Sequence, residues 1–424
     1  MRSRGLNHNL VVATARGAVL AGLLLLVAAG APALVIAAES ATESQPLPQA
    51  QACPQSQPQS PSLEVSDPRP EPPGEAGLEL TKVIEKAVTW LVENQHPDGG
   101  WGSHHSPRPI EVLASVPGSQ RAFRVATSAL CVMALEDCPI QTAASRRASS
   151  RGLDYLLQAY NVKRMSGLEH YNVWAFGYTL QCFGEWLPRH AEDERVEKVR
   201  AASRALIDKL TRYQSLDGGW GYLSVDTLQT YQPASTSMSF TTATILVGVA
   251  RVQAAGVEVP EKLIDRAVAS VVRSRMPSGS FAYGELWRMR PQSGINKIKG
   301  SACRTPSCQY ALLLHGREVS ADWRRKGLDD LLNAHIRFSK MGVRRPIPHE
   351  SWYSISGYFY LYGMAYSAYI LEGLTPKDHG RFEKPLFDAV MYCHQPDGSF
   401  WDYPLYSYHK PYGTAFALIT LSRL

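Results

Sequence analysis

Side chains that could form a binding or catalytic site are concentrated near the starts of a few apolar segments of the chain. Four of them, His349, Glu350, His409 and Tyr412, have the groups needed for acid–base chemistry. The residues suited to holding a ligand are Arg124, Tyr171, Trp174, Tyr353, Tyr358 and Tyr362. Aromatic rings bury hydrocarbon, attract cations through their quadrupoles and suit sugar faces. We therefore expect an aromatic-lined pocket for either an apolar molecule or a glycan.

Helices must position these side chains, since apolar residues recur at helical spacing from about residue 78 onward. Amphipathic segments end at turns that contain Gly99, Gly218, Gly279 and Gly398. Successive turn glycines are separated by 119, 61 and 119 residues, which correspond to one or two units of about 60. The same period predicts two weaker units near residues 159 and 339, where helical stretches are present. The sequence thus predicts about six repeats over residues 77–424.

Each repeat also contains a second helical segment that is apolar on every side and rich in small residues. These segments cover residues 122–135, 171–186, 240–254, 307–314, 358–371 and 412–424. A helix that is apolar all round is buried all round, so the amphipathic helix of each pair must lie outside it. A single hairpin cannot bury such faces, and neighbouring hairpins must stack. We predict an all-α fold, an α/α toroid of six helical hairpins with inner and outer rings of six helices each.

The first 76 residues differ in composition from the repeats. Arg2, Arg4 and Arg16 precede an apolar run over residues 18–38 that ends in small residues, which is typical of a signal peptide or an N-terminal membrane anchor over residues 1–38. Residues 39–76 are rich in Pro, Gln and Ser and predict a disordered linker. We expect an extracytoplasmic protein, periplasmic or secreted, whose membrane contact is limited to residues 18–38 if they stay uncleaved.

Charge and cysteine content bear on the partners of the chain. The formal net charge is +6 without a basic stripe, so no nucleic-acid partner is expected. The seven cysteines match no zinc template, and neither a metal nor another cofactor is predicted. Cys303 and Cys308 flank a short turn and are the best candidates for a local disulfide in an oxidising compartment.

The glycine turns carry a repeated motif. Its copies are Gln95-x-x-Asp98-Gly-Gly-Trp101-Gly, Gln214-x-x-Asp217-Gly-Gly-Trp220-Gly and the variant Gln395-Pro-Asp397-Gly-Ser-Phe400. They resemble the QW motifs of the prenyltransferase and squalene cyclase repeat superfamily, and the resemblance extends over residues 78–424. It implies a toroid of the terpenoid cyclase type. Because Asp can accept backbone N–H bonds and Gly can adopt positive φ, we interpret Asp98, Asp217 and Asp397 as structural residues.

The catalytic motifs of this superfamily are missing from the sequence. Triterpene cyclases protonate an alkene with Asp-x-Asp-Asp, whereas the one adjacent Asp pair here begins at Asp329 and lacks the third carboxylate. The stretch from His409 to Tyr412 resembles the histidine-bearing segment of protein prenyltransferase β-subunits, but Cys308 lacks the accompanying carboxylate, so a zinc site would be incomplete. Thioester domains need Cys-Gly-Glu-Gln, and Cys182 begins a different sequence.

Three functions are compatible with these residues. The first is an exported toroid that binds an apolar or isoprenoid-like ligand in a central aromatic-lined cavity; if it is an enzyme, the resemblance implies a terpenoid cyclase or transferase type. The second is an extracytoplasmic carbohydrate-active lyase or hydrolase that uses His, Tyr and Glu in a cleft. The third is a non-catalytic binding scaffold. A deep apolar cavity would favour the first, a cleft with converging His, Glu and Arg the second, and a filled centre the third.

Overall fold

The computed structural model describes residues 80–103, 117–163, 171–222, 236–333, 359–402 and 408–424. These residues form α-helices joined by turns, and the only β-type pairings among them are isolated bridges at the turns. No helix in this part of the chain is both long enough and apolar enough to span a bilayer.

Twelve long helices of the described residues alternate between two environments. The outer helices are α1 (Leu80–Glu93), α3 (Ala143–Ala159), α5 (Val196–Tyr213), α7 (Glu261–Arg273), α9 (Ala321–Leu332) and α11 (Pro376–Met391). The inner helices are α2 (Pro117–Asp137), α4 (Asn172–Arg189), α6 (Ser239–Ala254), α8 (Thr305–Leu314), α10 (Tyr360–Glu372) and α12 (His409–Leu421). The predicted all-α double ring is confirmed.

The difference between the two sets follows from their sequences. Outer helix α7 buries Leu263, Ala267, Val268, Ser270 and Val271, which lie on one face at helical spacing, and exposes most of its other residues. Inner helices such as α4, α6 and α10 are buried along nearly their whole length. Close approach within the inner ring depends on small residues: a Cβ atom on Gly248 of α6 would lie 2.9 Å from the carbonyl oxygen of Gly177 in α4.

The inner helices close into a ring. Each packs against the inner helices before and after it, and α12 packs against α2. At this closing contact the Cys131 thiol of α2 lies 3.7 Å from the carbonyl oxygen of Pro411 in α12. Neighbouring inner helices run parallel, since Gly177 of α4 lies against Ile245 of α6 and Gly184 lies against Arg251 further along both helices, so the inner helices begin at one end of the ring. We call this the N-terminal end of the inner ring.

The pairing within hairpins differs from the expectation. We paired each outer helix with the inner helix that follows its glycine turn, but five of the outer helices pack mainly on the inner helix that precedes them, and α1 packs on α12. The cause is connection length, since Asp137 of α2 and Ala143 of α3, for example, are separated by only a few residues. The Thr142 and Thr375 caps start α3 and α11 immediately after such short connections.

The glycine turns join neighbouring outer helices. The side-chain amide of Gln214 donates to Gly218 in its own turn and to Leu263 of α7, both at 2.8 Å. Trp220 is fully buried, and its indole N–H donates to Leu210 of α5 at 2.9 Å. Gln95 and Trp101 make equivalent hydrogen bonds in the first turn. The motif is therefore a repeated joint of the outer ring.

The motif aspartates take part in these turns as predicted. Asp98 accepts from the Gly100 N–H, Asp217 from Gly219 and Asp397 from Ser399. Asp397 also accepts from the indole of Trp90 in α1 at 3.1 Å, which ties the last turn to the first outer helix.

The expected disulfide is absent: Cys303 and Cys308 are buried free thiols. The backbone of Cys303 lies against Gly363 of α10, whereas the Cys308 thiol hydrogen-bonds Ser239 of α6. Five residues along a helical path rotate a side chain by about 140° relative to its start, so the two cysteine side chains leave the helix on different sides. Burial raises the pKa of the Cys308 thiol to about 12, which keeps it protonated at neutral pH.

Candidate functional site

A cavity lies at the N-terminal end of the inner ring. The space between its walls, counted together with the part that is open to solvent, is about 490 Å³. Its walls come from four inner helices, α2, α4, α10 and α12, mostly from the part nearer their N-termini. The lining residues are Phe123, Ala126, Thr127, Leu130, Trp174, Tyr178, Phe359, Tyr362, Tyr412 and Phe416. Seven of these ten side chains are aromatic and none carries a charge.

The aromatic wall is built around Trp174 of α4. Its ring lies 6.0 Å from Tyr178, 5.8 Å from Phe240 and 6.2 Å from Tyr362, between ring centroids. Trp174 and Tyr178 are four residues apart on one helix, which places both rings on the same face. Edge-to-face and offset contacts of this kind fix the orientation of the rings and keep the wall preformed.

Tyr171 adjoins this wall in an unusual backbone conformation. It precedes α4 with a φ of 74°, the only positive φ of a non-glycine residue in the described part of the chain. The centroid of its ring lies 4.8 Å from that of Phe123 and 4.9 Å from that of Tyr222. A bulky residue in the left-handed region costs of order 1–3 kcal/mol, so the surrounding packing must hold it there.

A layer of hydroxyl groups lies behind the aromatic wall. The Tyr362 hydroxyl is 3.2 Å from the Thr244 hydroxyl of α6, and Tyr178 and Tyr366 also hydrogen-bond Thr244. Gln181 donates to the Tyr366 hydroxyl at 3.0 Å. Burial raises the pKa of Tyr366 to about 12, so this layer stays neutral around pH 7.

The opposite end of the inner ring is filled by ion pairs. Arg251 pairs with Glu185 at 2.9 Å, and Arg423 pairs with Asp137. Both guanidinium groups lie against the ring of Tyr369, at 5.0 and 4.1 Å from its centroid. These side chains project from the C-terminal ends of the inner helices. The inner ring is therefore aromatic at one end and ionic at the other.

Comparison with solved structures identifies the architecture. The α-1,6-mannanase GH76A of Salegentibacter sp. HEL1_6 superposes with a TM-score of 0.53 and 8% identity, covering 81% of this chain and 98% of the mannanase chain. Cellobiose 2-epimerase from Bacillus thermoamylovorans B4167 gives 0.50 and 11%, covering 81% and 99%. The chain is an α/α toroid.

The type II terpene cyclase MstE from Scytonema is also similar to this toroid, with a TM-score of 0.46 and 12% identity, over 81% of this chain and 97% of the cyclase chain. No protein-family model and no curated protein sequence matches the chain. At such identities the similarity shows the fold alone, and the chemistry of the toroid must be argued from its own residues.

The toroid brings several of the residues singled out from the sequence together. Trp174, Tyr362 and Tyr412 line the cavity, and Tyr171 lies beside it against Phe123. His409 is fully buried, with its ring 4.8 Å from Tyr408 and 5.1 Å from Tyr412. The other candidates, His349, Glu350, Tyr353 and Tyr358, lie outside the described residues.

Some lining residues were missed although the sequence carried a signal for them. Tyr178 lies four positions after Trp174, Phe416 lies four after Tyr412, and Phe359 lies three before Tyr362. Helical spacing therefore places each on the same face as a residue already chosen. Within the described residues there is no group of three or more His, Cys, Asp or Glu side chains suited to a metal ion.

Arg124 lies outside the cavity lining. Its guanidinium donates two hydrogen bonds of 2.7 Å to the carboxylate of Asp98 and one of 3.2 Å to the Gly102 carbonyl oxygen. It therefore joins the start of α2 to the first glycine turn. The hydrogen bonds from Arg124 hold the pKa of Asp98 below its ordinary value.

Replacing Arg124 with glutamine is expected to lower the free energy of unfolding by about 0.5–1 kcal/mol at pH 7, the range of well-formed pairs near the surface. Asp98 has a lowered pKa in the folded state, so the contribution of the pair is present above the unfolded value near 4 and disappears as pH falls through the folded pKa. Urea unfolding at pH 7 and pH 3 measures this difference. Arg204→Gln, at an exposed position of α5, is the matched control.

If Arg124→Gln lowered the free energy of unfolding equally at pH 7 and pH 3, the assigned role of the Arg124–Asp98 pair would be contradicted. An equal decrease in the Arg204→Gln control would contradict it as well.

Proposed function

We propose that this protein binds a neutral apolar molecule of the isoprenoid type in the central cavity of the toroid. The observation that carries the proposal is the lining itself, which has seven aromatic rings and no charged side chain among the lining residues described above. Burying apolar ligand surface against such a wall contributes roughly 25 cal/mol per Å². The same ring faces also stabilise positive charge.

The lining also favours this ligand class over a glycan. Hydrolysis of a glycosidic bond generally uses two carboxyl groups on either side of that bond. Among the described lining residues there is no Asp, Glu, His or Arg. The buried His409 lies beside Tyr412, but its ring is enclosed rather than presented with a carboxylate to open space. The scaffold hypothesis, which requires a filled centre, is disfavoured by the cavity.

The place of action is part of the same proposal. We propose export from the cytoplasm, supported by the three arginines, the apolar run and the small residues of residues 1–38. Residues 39–76 would then be a tether between this segment and the toroid.

Titration with two defined probes tests the ligand class. Farnesol should quench tryptophan fluorescence with saturation, because Trp174 forms part of the cavity wall. Trp174→Phe should lose most of this fluorescence change but still bind farnesol, as an increase of the melting temperature on adding farnesol would show. α-1,6-Mannotetraose should produce neither effect. Saturable binding of the oligosaccharide without binding of farnesol would reverse the assignment, and binding of neither probe would favour the scaffold.

A further inference from the structure

Large apolar side chains are exposed at one end of the toroid. Five residues of the described chain have large apolar side chains that are exposed, namely Leu216, Val272, Leu286, Met289 and Leu314, and four of the five lie at this end. The first four lie at or beside connections that lead from outer to inner helices, at the N-terminal end of the inner ring. Leu314 ends α8 at the opposite end. We call Leu216, Val272, Leu286 and Met289 the apolar patch.

Arg273 links the part of the apolar patch around Leu216 to the part around Leu286 and Met289. Its guanidinium donates to the backbone carbonyl of Asp217, the residue after Leu216. It also approaches the carboxylate of Glu285, the residue before Leu286, at 3.8 Å. Val272 is its neighbour in α7. Leu286 and Met289 are 69% and 84% exposed, and they lie three apart in a 3₁₀ turn, where residues at that spacing share one side.

The segment that displays Leu286 and Met289 is held by buried polar groups. Asn296 donates to the carbonyl oxygens of Trp287 at 2.8 Å and Arg290 at 3.0 Å, and accepts from the Tyr283 N–H at 3.0 Å. Beneath it, the fully buried Arg304 donates to several backbone carbonyls of the same region. Because these bonds fix the turn, the apolar tip is presented as a rigid surface rather than as a loose loop.

The apolar patch lies close to the cavity. The ring of Trp287 is 6.4 Å from Tyr283, Tyr283 is 5.1 Å from Phe240, and Phe240 is 5.8 Å from the lining residue Trp174. An unbroken series of ring contacts thus connects the displayed turn to the cavity wall. Both features occupy the end of the ring at which the inner helices begin.

The charge around the patch has one dominant sign. The segment that displays Leu286 and Met289 also contains Arg288 and the exposed Arg290 and Lys297, and Arg273 approaches it at Glu285. Glu285 offsets one of these charges through its pair with Arg288, and the carboxylate of Asp217 beside Leu216 offsets a second, so two positive charges remain in excess. Exposed apolar side chains flanked by cations are the combination that enters the interface of a bilayer with anionic headgroups.

We propose that the apolar patch docks the toroid on the surface of an anionic lipid bilayer, with the cavity end towards the lipid. This contact is separate from residues 18–38, to which the sequence limited any membrane contact. It rests on the patch and its charges and not on the proposed ligand. A docked toroid would give an apolar molecule a path from the bilayer to the cavity with little passage through water.

Hydrogen exchange of the whole chain with and without vesicles tests the docking locally. Equimolar phosphatidylcholine–phosphatidylglycerol vesicles should slow exchange of the peptide over residues 283–297, and phosphatidylcholine vesicles much less. The double variant Leu286→Ser, Met289→Ser should lower the partition coefficient of the protein onto these vesicles at least about tenfold, because it removes two large apolar side chains from the interface. High salt should weaken binding as well.

Leu314→Ser is the matched control, since it alters the exposed leucine at the opposite end and should bind as the unchanged chain does. Unaltered exchange of residues 283–297 with anionic vesicles would overturn the proposal, even if the chain associates with vesicles through its N-terminal segment. Protection that appears without vesicles and rises with protein concentration would overturn it too, because a second copy would then cover the patch. Failure to bind farnesol, with vesicle docking intact, would bear on the proposed ligand alone.

Discussion

Replacing Ala126 with phenylalanine is expected to weaken farnesol binding by about 100-fold or more, equivalent to about 2.7 kcal/mol. Ala126 lines the cavity from α2 and has a small side chain among large aromatic ones. A phenyl group there would occupy space that the ligand requires, while adding apolar surface to an already apolar wall. Because the cavity provides room, the cost of overpacking should stay near the lower end of its usual range of about 1–3 kcal/mol. Fluorescence titration measures the binding and thermal unfolding measures the cost.

Ala126→Ser is the control at the same position, because it changes the side chain by one small polar atom. It should bind farnesol within a few-fold of the unchanged chain. Undiminished binding by Ala126→Phe would place the ligand elsewhere on the molecule. A variant that loses both binding and its cooperative melting transition would be replaced by Thr127→Leu, which enlarges another lining position of α2 and should also weaken farnesol binding.

Replacing Gly218 with alanine is expected to lower the free energy of unfolding by about 3 kcal/mol or more, because two effects contribute. Gly218 has a φ of 95°, where a Cβ atom costs roughly 1–2 kcal/mol. In addition, that Cβ atom would lie 2.3 Å from the carbonyl oxygen of Arg266 in α7, so the joint between neighbouring outer helices would have to open. Denaturant unfolding followed by circular dichroism measures the change.

Two other glycines separate these effects. Gly316 has a φ of 67°, but a Cβ atom added there would meet no other atom within 4 Å, so Gly316→Ala should cost only about 1 kcal/mol. Gly380 lies inside α11 with open space around it, and Gly380→Ala should stabilise by about 0.5–1 kcal/mol. Equal losses for Gly218→Ala and Gly316→Ala would show that the contact with Arg266 does not matter.

Much of the fold could be predicted because each repeat carries its own local signals. Gly99, Gly218, Gly279 and Gly398, which set the period, all adopt positive φ at the ends of outer helices. The uniformly apolar segments became the inner helices because they have no face suited to water. The pairing of hairpins could not be read in the same way, since it depends on which connection is short enough to force two helices together.

The site was predictable only in part, for reasons that differ between residues. Trp174, Tyr362 and Tyr412 were found because they stand near the starts of apolar helices, where a ring of helices leaves its centre open. Arg124 occupies a similar place in sequence, yet its charge is used by Asp98 in a turn 26 residues earlier. The partner of a charged side chain can be distant along the chain, and it is then set by tertiary packing rather than by sequence spacing. The same holds for the neighbours of Cys303 and Cys308.

Closure of the ring has a consequence for the order in which the chain can acquire its structure. An open array of repeats can grow from any point, each new repeat adding to a stable neighbour. Here α12 packs on α2, and Trp90 of α1 donates to Asp397, a partner 307 positions away. Neither contact can form until nearly the whole chain has been synthesised. We therefore expect the first repeats to stay incompletely packed until then, and folding to be slow and concerted.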